Sequence, residues 1–231
     1  MQIFTKNTQV IDLVETNYHL LPVLNRFGIS LGNREMTLGE ICTSIQVDVH
    51  FLLAIINTYH NEDYFPEKEL QAFSPKLILE YLQKTHAYYL EYVLPKIEQL
   101  LDLLMKSDTS GKHQLELIEK FYLKYKKELL QHIQEEEEIV FPYISSLLQE
   151  GSGSTAYTIH TFEKEHSNID IKLHDLKNLV IKYIEPVYDN NTCNEFLITL
   201  LRFERDLVDH ARIEDKILIP QVLQLEREMH G

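Results

Sequence analysis

Between residues 74 and 229 the chain is broken by loops in only three places, at about 107–111, 151–154 and 185–191. The segments between these breaks repeat apolar residues every three or four positions, the period of a helix with one buried stripe. None alternates apolar and polar residues as a strand does. Such a chain is predicted to fold as long helices, over about 74–105, 113–149, 155–184 and 192–228. Short loops between long helices make neighbours antiparallel. The expectation is an all-α fold in which residues 75–231 form an up-down-up-down four-helix bundle. Ser74-Pro75 suits its start, an N-cap followed by proline at the first helical position.

A small helical domain, residues 1–60, is expected to precede the bundle. Helices are predicted over about 8–17, 20–26 and 47–59, with stops near Gly28 and Gly32. Another opens at Thr37-Leu38-Gly39-Glu40, where Thr followed by Glu three residues later is a capping box. Polar and breaker residues from His60 onwards suggest a linker over 61–74. Glycine and proline number seven each and are expected at boundaries.

Each long helix carries an inward seam. The first has Leu79, Leu82, His86, Tyr89, Val93, Ile97, Leu100 and Leu104. The second has Ile118, Tyr122, Tyr125, Leu129, His132, Glu136, Ile139, Tyr143 and Leu147. The third has Ile159, Phe162, His166, Ile169, Leu173, Leu176 and Val180. The fourth has Phe196, Leu200, Phe203, Leu207, His210, Glu214 and Ile217. Steps of three and four keep each series on one face.

Six polar residues interrupt these seams: His86, His132, Glu136, His166, His210 and Glu214. Two of the helices carry one motif twice, His132-x3-Glu136 with Pro142 and His210-x3-Glu214 with Pro220. Residues four apart lie on one helical face, so each copy points an imidazole and a carboxylate the same way. Antiparallel packing brings all six to one height in the core. A lone buried histidine is usually a satisfied core residue, but the seams offer no Lys or Arg to partner the two glutamates. Burying an unpaired carboxylate costs several kcal/mol or neutralises it. A cation turns the layer into a site. Four His and two Glu exceed the needs of one tetrahedral zinc and suit two ions. Nitrogen and oxygen donors without thiolate fit iron or manganese, and zinc less well. His160, His174, His113, His19, His50, His60 and His230 fall off the seams. In the run 135–138 only Glu136 has the seam phase, so its neighbours read as solvated surface.

Other features exclude whole classes of function. A net charge of −14 argues against nucleic acid or an anionic membrane as the main partner. No apolar run approaches the roughly 18 residues of a membrane span. The N-terminus shows no basic-then-apolar leader, which favours the cytoplasm. Cys42 and Cys193 form no CxxC pair and read as structural thiols.

The two motif copies, with Thr85-His86 before Pro95 and Glu165-His166, resemble the hemerythrin-like HHE cation-binding domain over about residues 75–225. Within that group the chain is similar to the repair-of-iron-centres proteins, di-iron proteins linked to mending iron–sulfur clusters after nitrosative and oxidative stress. The N-terminal stretches Ile11-Asp12-Leu13-Val14, Pro22 to Ile29 and Leu38 to Cys42 are similar to the short helical domain of those proteins. The resemblance implies two iron ions, held terminally by His86, His132, His166 and His210 and bridged by Glu136 and Glu214. It implies oxygen, nitric oxide or oxo ligands, and iron–sulfur proteins as partners. It points to a stress and repair protein rather than a conventional enzyme, with no catalytic residue assigned. One departure stands out. The family's Cys-Cys-Gly-Gly turn is replaced by Ser30-Leu31-Gly32-Asn33-Arg34, so thiol chemistry assigned to that turn does not carry over. An oxygen or nitric oxide sensor without repair activity, a metal-free acidic scaffold and a homodimer stay open.

Overall fold

The computed structural model describes residues 3–33, 35–107, 112–150, 158–159, 169–183 and 189–230. It is all-α, as the periodicity predicts. Among the described residues extended backbone pairs only in an isolated bridge between Gln9 and Thr37. The chain divides into two compact units. One comprises Met1–Thr85 with Arg212–Gln221, the other His86–Ala211 with Val222–Gly231.

The first unit begins with α1 (Val10–Thr16), a 3-10 turn (Tyr18–Leu20) and α2 (Leu21–Arg26). Gly28 follows α2 with φ of 75°, a left-handed conformation that costs glycine little. Next come α3 (Leu38–Ile45) and α4 (Val49–His60). The capping box forms as expected: Glu40 N–H donates to Thr37 Oγ1, and Thr37 N–H donates to Glu40 Oε2 at 2.8 Å. The Thr37 N–H and then the Thr37 hydroxyl, both donating to Glu40 Oε2, hold the Glu40 carboxyl below its ordinary pKa. Gly39 lies against the backbone of Lys6, where a Cβ would sit 3.1 Å from the Lys6 carbonyl oxygen. The buried Asn57 amide exchanges two hydrogen bonds with the Phe4 backbone. Phe27, Phe51, Phe73 and Tyr81 pack ring against ring, and buried Arg26 donates to the Tyr81 hydroxyl at 3.1 Å.

The stretch read as a linker contains a one-turn helix, α5 (Glu67–Leu70), with Leu70 fully buried. Leu70 stands alone among mostly polar neighbours, so the turn has no apolar period that a sequence could display.

The first long helix consists of α6 (Pro75–Tyr88), a π turn (Tyr89–Val93) and α7 (Leu94–Ser107). The second consists of α8 (Lys112–Glu135), a π turn (Glu136–Val140) and α9 (Phe141–Glu150). The described part of the third is α10 (Ile169–Tyr183). The fourth consists of α11 (Asn190–Ile213), a π turn (Glu214–Leu218) and α12 (Ile219–His230). In the second unit Tyr89, Ile97, Leu104, Tyr122, Tyr125, Leu129, Leu173, Leu176, Phe196, Leu200 and Phe203 form one apolar core. Glu128–Lys172 and Lys177–Glu204 ion pairs tie α10 to α8 and α11.

The π turns have a readable cause. The amides of Leu94, Phe141 and Ile219 each donate to the carbonyl five residues back, on Tyr89, Glu136 and Glu214. The next residue in each case is proline: Pro95, Pro142 and Pro220. Proline has no N–H, and its ring collides with the carbonyl four residues earlier in a regular helix. Widening the turn by one residue relieves that collision. These three prolines therefore lie inside helices, not at the boundaries expected of them. The carbonyl that Pro220 leaves without a helical donor belongs to Lys216. It accepts a hydrogen bond from Gln71 Nε2 at 3.0 Å, just after α5.

Each π turn also shifts the phase of the helix beyond it. An uninterrupted seam through Glu136 would bury Ile139 and Tyr143. Instead Ile139 is 47% exposed, Tyr143 is half-buried, and Val140 and Ile144 are buried. The extra residue in the turn rotates the downstream face by one position.

Candidate metal centre

His86 lies in the last turn of α6, just before its π turn. His132 lies in the last turn of α8, and Glu136 opens the π turn that comes next. His210 and Glu214 repeat that placement at the end of α11. His86, Glu136, His210 and Glu214 are all buried. Each offers one ligand atom, and those four atoms lie within 4.8 Å of one another. His86 Nε2 is 3.1 Å from Glu136 Oε2 and 3.3 Å from His210 Nε2. His132 Nε2 is 3.3 Å from Glu136 Oε1, with 16% of its side chain exposed. Of the sequence-predicted residues, His86, Glu136, His210 and Glu214 thus come together, and His132 lies beside Glu136. His166, the remaining predicted residue, lies outside the described residues, as does His160.

The surroundings are aromatic. Phe141 lies parallel to the His86 ring, with centroids 5.6 Å apart. Tyr89 makes T-shaped ring contacts with His210 at 5.7 Å and with Phe203 at 5.0 Å. Apolar walls exclude water and strengthen every electrostatic interaction inside them. Glu136 and Glu214 retain 0% and 1% exposure there. Holding two such carboxylates ionised is costly without positive charge beside them. Imidazole nitrogens and carboxylate oxygens, with no thiolate, are the donor chemistry of iron, manganese or zinc. The residues present fit a cation.

One neighbour differs from its sequence expectation of solvated surface. Glu137 is 31% exposed, and its Oε1 lies 2.7 Å from His86 Nδ1. The signal in the sequence is its place directly after Glu136, on the flank of the inward face. Two of the off-seam histidines have other neighbours. His174 is half-exposed and sits 2.8 Å from Glu204 Oε1, and His60 contacts Asn17 at 3.2 Å. Buried Cys42 lies in the first unit, its thiol pushed up to about 11 by burial and by Asp48.

Residues 77–222 match the model of the hemerythrin HHE cation binding domain. The chain is also similar to proteins named iron-sulfur cluster repair protein YtfE. The relatives from Yersinia pseudotuberculosis serotype IB (strain PB1/+) and Yersinia pestis (strain Pestoides F) are each 33% identical over 101 residues. That match covers 43% of this chain and 44% of either relative, so it spans less than half of their length. No solved structure gives a significant match. The family match takes in His86, His132, Glu136, His210 and Glu214, and more than half of the chain. This protein belongs to the hemerythrin HHE cation-binding domain family.

Proposed function

We propose that this is a di-iron protein of the iron–sulfur cluster repair type, acting in the cytoplasm under nitrosative and oxidative stress. The observation that carries this reading is the buried group of imidazoles and carboxylates around His86, His210, Glu136 and Glu214. His86, His132, His166 and His210 would hold two irons, and Glu136 and Glu214 would bridge them. Bound iron would supply exchangeable positions for oxygen, nitric oxide or oxo ligands, and iron that can pass to a damaged cluster. Bridging carboxylates offset the mutual repulsion of two cations. The rings of Phe141 and Tyr89 shield His86 and His210 from bulk water. The similarity to relatives named for cluster repair supports the biological role.

Protein purified without added metal tests the centre. Two irons per chain are expected, and clearly less than that, unaltered on reconstitution, would sink the reading. Recovery of a nitric-oxide-damaged iron–sulfur enzyme on adding the loaded protein tests the role.

A second reading is an oxygen or nitric oxide sensor on the same centre. The turn at residues 30–34 has no cysteine, and Cys42 is buried with its thiol titrating far above neutrality. The N-terminal unit therefore offers no thiolate from these positions. Reversible oxygen binding without any effect on the damaged enzyme would favour this alternative.

A further inference from the structure

We propose that Glu137 is the positioning residue of His86: it anchors Nδ1–H and so aims Nε2 into the centre. The inference rests on the proposed metal centre and adds a residue that the ligand set does not contain. Its geometry comes from two consecutive residues. Glu136 Oε2 lies 3.1 Å from His86 Nε2, and Glu137 Oε1 lies 2.7 Å from His86 Nδ1. Adjacent residues on a helix point roughly 100° apart, so one faces the core and the other its flank. The imidazole of His86 enters between them and is held on both nitrogen-bearing edges. A neutral imidazole carries one proton, on one nitrogen. A carboxylate accepting at Nδ1 keeps the proton there and leaves the Nε2 lone pair facing Glu136 and His210. The stacked Phe141 ring, only 4° from parallel, restricts the imidazole plane, while the hydrogen bond fixes which edge faces inward.

The position of Glu137 also argues against a role as a ligand. Its contact is with the nitrogen that faces away from Glu136, and its side chain is 31% exposed where Glu136 is fully buried. A carboxylate of that kind orients a metal-binding histidine and raises its basicity, and losing one typically costs about 10–100-fold in metal affinity.

The test uses the full chain as wild type, Glu137→Ala, Glu137→Gln and Glu137→Asp. Ferrous iron affinity is measured against a competing chelator, with the optical spectrum of each loaded protein. Nitrogen-detected NMR gives the tautomer of His86 in the metal-free proteins. We expect Glu137→Ala to bind about 10–100-fold more weakly, with an altered spectrum and a lost preference for the Nδ1–H tautomer. Glu137→Gln, which keeps an accepting oxygen without the charge, should recover part of the affinity. The melting temperatures of the metal-free variants should match wild type, which separates positioning from folding. Wild-type affinity, spectrum and tautomer in Glu137→Ala would overturn the proposal and leave the metal centre standing. A wild-type chain that takes up no iron would overturn both.

Discussion

In the second long helix His132 keeps part of its side chain in solvent, and Glu137 reaches back to His86. In the fourth, His210 is buried in T-shaped contact with Tyr89, and Asp215, the counterpart of Glu137, is exposed. The downstream residues differ too. Ile139 is nearly half exposed, whereas its counterpart Ile217 is fully buried. Both copies share the same spacing of His, Glu and Pro and the same π turn. The motif therefore specifies where the donors stand and how the backbone widens after them. The surroundings of each copy decide how tightly its histidine is enclosed and whether an outer carboxylate supports the centre.

The largest test removes a feature that the copies share. Glu136→Ala and Glu214→Ala should each abolish metal uptake, measured by metal analysis after reconstitution. Metal bound at about a thousandfold above its Kd stabilises the folded state by about 4 kcal/mol. Chelation should therefore lower the melting temperature of the wild type and leave both variants unmoved. Retention of two irons by either variant would break the equivalence of the copies.

The next test targets the downstream difference. Ile217→Ala should cost about 3 kcal/mol in denaturant unfolding, as expected for truncating a buried side chain. Ile139→Ala should stay within about 0.5 kcal/mol. Equal costs would mean that the helix runs through residue 139 without a change of phase.

A smaller effect lies outside both copies, at the cap of α3. The Glu40 carboxyl is held low by the Thr37 backbone and then by the Thr37 hydroxyl. A carboxylate depressed in the folded state contributes stability above its ordinary pKa and loses it as pH falls through the folded value. Between about pH 6 and about pH 3 the wild type should lose stability relative to Glu40→Gln. Parallel curves from the two proteins would show that the cap carries no such linkage.

The smallest effects are expected at Asp215, the exposed counterpart of Glu137, and where a histidine lies off the seam. Asp215→Ala and His174→Ala should bind iron as the wild type does, in contrast to Glu137→Ala. Loss of metal in Asp215→Ala would show that both copies carry an outer support.

Much of the fold and the centre is legible in the sequence, because helical periodicity and breaker residues are local signals. The long helices start and stop within a few residues of their predicted ends wherever they are described. The capping box at Thr37 forms, and His86, Glu136, His210 and Glu214 offer atoms within 4.8 Å of one another. A uniform helical period cannot register a turn that holds an extra residue, so it places Ile139 and Tyr143 where Val140 and Ile144 belong. The prolines that cause those turns read as ordinary breakers. Glu137 escapes notice because an inward seam has no place for a flanking residue that reaches sideways to another helix. The turn at Glu67–Leu70 has no apolar period of its own, and the Gln71 side chain just after it donates to the Lys216 carbonyl, 145 residues away in the chain.

The widened turns also change how these helices tolerate altered length. Deleting one residue from a regular helix rotates everything beyond it out of register. Here the turn at Glu136–Val140 already holds one residue in excess of the helical count. Deleting Ile139 together with Pro142→Ala would close that turn to a regular one and leave Ile144 and Leu147 facing inward. Pro142→Ala belongs to the pair because a retained proline would again collide with the carbonyl four residues before it. At this point a helix that carries candidate metal donors can lose a residue without losing its face.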